Sequence, residues 1–107
     1  EELVFEGEMI ESYFQRKLSS FRLEDYGTIV LGCTHYPFYR NVLSRLLPPH
    51  IKIIDGSGGT AKRLQEVVKP VAERKGEGTI RFMCSDENEA YIMKMSKALR
   101  IYSEMQA

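Results

Sequence analysis

The chain has 107 residues, 43% of them apolar and 28% charged, and its 15 basic and 15 acidic side chains cancel to zero net charge. That length supports one small domain with a core and is too short for two. The interspersed, balanced charges exclude the basic footprint of a nucleic-acid binder, and no apolar run approaches the ~20 residues of a membrane span.

From Glu8 to about Arg22, the apolar residues Ile10, Tyr13, Phe14, Leu18 and Phe21 recur at three- and four-residue steps, which predicts an amphipathic helix. Asp25-Tyr26-Gly27 breaks the period. Thr28-Ile29-Val30-Leu31-Gly32 is then a continuous, β-branched run, the pattern of a strand buried on both faces. Cys33 to Tyr36 form the turn after it, and Pro37 suits the first turn of a helix. That helix carries Phe38, Val42, Leu43, Leu46 and Leu47 and stops at Pro48-Pro49.

Ile51-Lys52-Ile53-Ile54 reads as a second strand, ending at Asp55 and the turn Gly56-Ser57-Gly58-Gly59. Thr60 is the expected N-cap of the next helix, with Ala61, Leu64, Val67 and Val68 on its apolar side. Pro70 blurs its end, and a polar segment from Glu73 to Gly78 links onward. Thr79 to Met83 predict a third strand. Ser85 or Asp86 would cap a last helix bearing Ile92, Met95, Leu99 and Tyr102. This alternation predicts an α/β fold, a largely parallel sheet in a three-layer arrangement with flanking helices. Three strands make a thin sheet, so the chain reads as an incomplete portion of something larger.

The chemistry concentrates in Gly32-Cys33-Thr34-His35-Tyr36-Pro37. Ligands of open α/β sheets collect outside the carboxyl ends of the strands, and a following helix N-terminus offers free N–H groups to an anion. Both features favour a thiolate at Cys33 and a carboxylate on a bound ligand. His35 can polarise the thiol or pass a proton, and Thr34 adds a hydroxyl. The residues themselves leave packing and catalysis both open for Cys33. His50, after Pro48-Pro49, reads as a solvated loop residue. Two cysteines, Cys33 and Cys84, make no disulfide framework and suit a reduced setting. The opening Glu1-Glu2 lacks the pattern of a signal peptide.

The seven-residue string Leu31-Gly32-Cys33-Thr34-His35-Tyr36-Pro37, following an apolar strand, resembles the second catalytic motif of the glutamate racemases. In the wider aspartate/glutamate racemase superfamily, Gly-Cys-Thr is usual and His-Tyr-Pro is not. Ile53-Ile54-Asp55 is similar to the family's Ile-Asp-Ser-Gly segment, although Gly56-Ser57 reverses the last pair. Phe82-Met83-Cys84-Ser85-Asp86 resembles the segment before the family's last helix, where Cys84 reads as packing. Near the N-terminus the family has a Val-Glu pair before a glycine; here Glu6, one step off, is a further candidate.

The resemblance implies that residues 1–107 are the C-terminal part of a two-domain racemase fold. Residues 1–50 would form the catalytic-cysteine strand and helix unit, and 51–107 the strand–helix units that follow. It implies cofactor-independent interconversion of L- and D-glutamate by two-base proton transfer, supplying D-glutamate for peptidoglycan in the cytoplasm. Cys33 would be one acid/base, on the L-glutamate face, with His35 assisting and Thr34 holding substrate. No metal or pyridoxal cofactor is implied. The family's other catalytic cysteine, in an Asn-Thr motif, and its substrate-holding aspartate and serine lie in an N-terminal half whose motifs this sequence lacks. The chain would then be inactive alone; its partners would be glutamate, the missing half and, in a dimer, a second copy. Three other readings stay open: an anion-binding module built on Gly56 to Gly59, another amino-acid racemase or isomerase of the same superfamily, and a Cys33–His35 thiol pair for hydrolysis.

Overall fold

The computed structural model describes residues 2–69, 78–86 and 88–106. The chain divides into two compact units, Val4–Glu73 and a second made of Glu1–Leu3 with Arg74–Ala107. Elements in chain order are α1 (Glu8–Leu18), β1 (Thr28–Leu31), α2 (Arg40–Leu46), β2 (Lys52–Asp55), α3 (Ser57–Val68) and α4 (Glu89–Gln106). The class is α/β, as expected.

In the larger unit, α1 opens after Gly7, whose φ of 110° is a conformation that suits glycine. Glu8 and Glu11 lie in its first turn and Arg16 and Lys17 in its last, the arrangement its dipole favours. The helix ends at Leu18, four residues before the point its periodicity suggests. Ser19 Oγ donates to the Arg16 carbonyl at 2.7 Å, and Phe21 N–H closes a turn on the Leu18 carbonyl at 3.0 Å. Serine side chains that bond to nearby backbone compete with continuation of the helix.

β1 and β2 pair in parallel, with Thr28 opposite Lys52, Ile29 opposite Ile53, Val30 opposite Ile54 and Leu31 opposite Asp55. Their crossover is α2, so β1, α2 and β2 make one parallel βαβ unit. Leu31, Leu43, Leu47 and Ile51 form the buried core, packed by Phe14, Leu18, Leu23, Ile29, Tyr39 and Ile53. The core therefore lies on the Ile29/Leu31 face of the sheet, under α1 and α2.

Three expectations are corrected. First, β1 is buried on one face only, because Val30 is 67% exposed and its partner Ile54 46% exposed. Second, Thr79 to Met83 form no strand, and the sheet of the described residues has two strands. A short alternating segment becomes a strand only where an edge in register accepts its hydrogen bonds. Third, α3 begins at Ser57 rather than after Thr60, and its Leu64 and Val67 side chains are open to solvent. The predicted Gly-rich turn is thus mostly the first turn of a helix. Pro70 and the linker from Glu73 lie outside the described residues, Gly78 excepted.

In the smaller unit, α4 carries half-buried Ile92, Met95, Ala98, Ile101, Tyr102 and Met105 at three- and four-residue spacing, while Leu99 is exposed. Its cap is Asn88, whose Oδ1 accepts from Ala90 N–H at 2.9 Å; Ser85 and Asp86 precede it in a turn. Among the described residues, no helix is long and apolar enough to cross a membrane.

Candidate active site

The Cys33 loop leaves the carboxyl end of β1, as the strand reading requires. Three successive backbone bonds shape it. Tyr36 N–H donates to the Cys33 carbonyl at 3.2 Å, Phe38 N–H to the His35 carbonyl at 3.2 Å, and Arg40 N–H to the Pro37 carbonyl. Tyr36 to Tyr39 are consequently a 3-10 turn, and α2 proper starts only at Arg40. The helix that was expected to begin at Pro37 is therefore a seven-residue helix starting farther on. Its dipole is no strong argument for an anion at Cys33.

What the turn does achieve is proximity. Cys33 Sγ lies 3.8 Å from His35 Nδ1, within reach of a long sulfur hydrogen bond. Either the thiol donates to a bare Nδ1 or a protonated Nδ1 donates to a thiolate, depending on the imidazole tautomer. Cys33 is half-buried, whereas Thr34 and His35 are exposed on the same loop. The three residues thus form one solvent-facing mouth.

Aromatic packing holds the last residues of this loop. Phe38 stacks on Phe5 with centroids 4.5 Å apart, and Tyr39 meets the edges of Phe5 and Phe14 at 5.5 and 5.3 Å. Charge fastens Arg40, the residue that follows the loop. Arg40 Nη2 donates to Asp55 Oδ2 at 2.6 Å, and Arg40 Nη1 to the Ile53 carbonyl at 3.0 Å. The other carboxylate oxygen of Asp55 accepts from Ser57 N–H at 2.8 Å. The Arg40 hydrogen bond, followed by those from Ser57, lowers the Asp55 pKa from 3.8 to about 2. Neither Arg40 nor this use of Asp55 was read from the sequence. The available signal was a carboxylate at a strand's carboxyl end, facing an arginine that opens the crossover helix.

Glu6 is not part of this cluster's bonding. Its carboxylate lies 4.0 Å from Arg45, in the last turn of α2, and Arg45 also binds Glu11 at 2.9 Å. His50 is exposed in the turn before β2, and Cys84 is a half-buried free thiol in the smaller unit. The Gly56–Gly59 segment makes a poor anion cradle, since the Ser57 N–H is already taken by a carboxylate. Among the described residues, no carboxylate or amide side chain is hydrogen-bonded to His35, and no three metal-ligating side chains converge.

These features define an α/β protein with a thiol–imidazole pair at the carboxyl end of a parallel strand. No family model matches the chain. Its sequence is, however, similar along nearly its whole length to glutamate racemases. It is 35% identical to the glutamate racemase of Halothermothrix orenii, over 98% of this chain and 42% of that protein. It is 40% identical to glutamate racemase 2 of Bacillus subtilis, over 95% of this chain and 40% of that protein. It is 33% identical to the glutamate racemase of Campylobacter concisus, over all of this chain and 42% of that protein. The chain spans about two fifths of the length of these curated relatives.

Proposed function

We propose that this chain contributes one acid/base thiol, Cys33, to a glutamate racemase, and that the second thiol belongs to a part of the enzyme outside it. The observation that carries the reading is the 3.8 Å contact of Cys33 Sγ with His35 Nδ1 at the carboxyl end of β1. It gains weight from falling inside the Leu31–Pro37 string of a chain similar to glutamate racemases.

Inversion at Cα needs a base on one face and an acid on the other, because the proton leaves one side and returns to the opposite one. Cys33 must act in both senses. As a thiolate it removes the α-proton of L-glutamate, and as a thiol it returns one when the reaction runs backward. His35 suits that double duty, since an imidazole can accept from the thiol or donate to the thiolate through the same nitrogen. Thr34 presents its hydroxyl and backbone N–H to the substrate, and such fixed donors offset the charge that develops beside the carboxylate. The scheme uses protein groups alone, with no pyridoxal cofactor or metal, and Glu6 has no step in it. Its product, D-glutamate, would serve peptidoglycan synthesis in the cytoplasm.

The test is circular dichroism of L- and D-glutamate incubated with the full-length protein containing this chain. Wild type should bring both to the racemate, and Cys33→Ala should not. Undiminished turnover by Cys33→Ala would remove the thiol from the mechanism.

A further inference from the structure

We propose that Arg40 and Asp55 are positioning residues for the Cys33 thiol, acting as a clasp that closes both ends of its loop on one residue, Asp55. The proposal rests on the reading of Cys33 as an acid/base thiol. Gly32 to Tyr39 make an eight-residue loop between β1 and α2. The residue before it, Leu31, is the ladder partner of Asp55, and the residue after it, Arg40, is Asp55's ion-pair partner at 2.6 Å. Residues fifteen apart in sequence thereby fix the two ends of the loop to each other.

The clasp has little freedom. Arg40 uses both arms of its guanidinium, one on Asp55 and one on the Ile53 carbonyl, which sets its orientation as well as its distance. Asp55 uses both oxygens, and its side chain is only 9% exposed. From Arg40 the constraint runs back through the Pro37, His35 and Cys33 carbonyls, each held by a backbone N–H three residues on. A displaced Arg40 would move those turns and open the contact between Cys33 and His35. The aromatic contacts of Phe38 and Tyr39 add a second hold on the last residues of the loop.

An ordinary structural ion pair would make the same hydrogen bonds, so the experiment must read the thiol as well as stability. Asp55→Asn, Arg40→Met and His35→Ala are made in the full-length protein, and Cys33 and Cys84 alkylation by iodoacetamide is followed across pH by peptide mass mapping. Cys84 serves as the internal control. The clasp variants should shift the Cys33 rate by about threefold or more, in the direction of His35→Ala, with Cys84 unchanged; kcat should fall by about tenfold or more, as misplaced catalytic groups require. Unchanged Cys33 alkylation in folded variants, or equal shifts at Cys33 and Cys84, would overturn the proposal. If either variant fails to fold, Arg40→Lys carries the same comparison, because it keeps the ion pair and loses the second donor to Ile53. Absence of glutamate turnover in wild type would defeat the functional reading separately, while the alkylation comparison still decides the clasp.

Discussion

Val30 and Ile54 face each other across the parallel strand pair, and both stand open to solvent at 67% and 46% exposure. One residue earlier on each strand, Ile29 and Ile53 point the other way and pack on the core. Two apolar side chains in register on a bare sheet face contribute little to folding of this chain. Val30→Thr should therefore change its stability by no more than about 0.5 kcal/mol, as surface substitutions do. Urea denaturation monitored by circular dichroism checks this, and a loss of several kcal/mol would mean that the face is covered in solution.

Burial predicts the opposite result one layer in. Leu43 belongs to the buried cluster, so Leu43→Ala removes apolar contact and leaves a cavity at a cost of about 2–5 kcal/mol. Leu64, exposed on α3, should lose about 0.5 kcal/mol or less on the same truncation. The contrast between the two urea midpoints is the measurement.

Stability should also depend on pH through Asp55. Its carboxyl is held down to about 2 by Arg40 and then Ser57, against 3.8 without them. A folded-state pKa below the unfolded value means that the unfolded chain takes up the proton first as pH falls. The contribution is thus complete above the unfolded value and is lost as pH drops through about 2. Asp55→Asn should be less stable than wild type near neutrality, and the two should converge in acid below that range. Parallel curves with a constant offset would show that the charge of Asp55 is not what matters.

On the proposed mechanism the chain by itself should not racemise glutamate, because it offers one acid/base thiol, Cys33, to one face of Cα. Removing one of two obligatory acid/base groups eliminates most of the rate, since each works only with the other. In the full-length protein, Cys84→Ala should stay near wild type where Cys33→Ser does not. Polarimetry of L-glutamate with the 107-residue chain is the check. Turnover at the full enzyme's rate would mean that Cys84, or a second copy, provides the opposite face.

Much of this protein was legible in the sequence, and the legible part is local. The four-residue period of Ile10, Phe14 and Leu18 marks α1, and the Thr28–Leu31 run marks β1, because each depends on neighbours along the chain. The Cys33–His35 contact belongs to the same class: residues two apart in a tight turn have few ways to avoid each other. What the tertiary structure decided is every relationship in which the partner is remote. Nothing near Val30 states that α1 and α2 cover the other face of its sheet. Nothing near Thr79 states whether an edge in register waits for it. Glu6 turned to Arg45, far along α2, and Arg40 to Asp55, fifteen residues on. A charged side chain's partner is set by which strand ends and helix starts meet once the core has closed, so the clasp around Cys33 exists only in the folded protein.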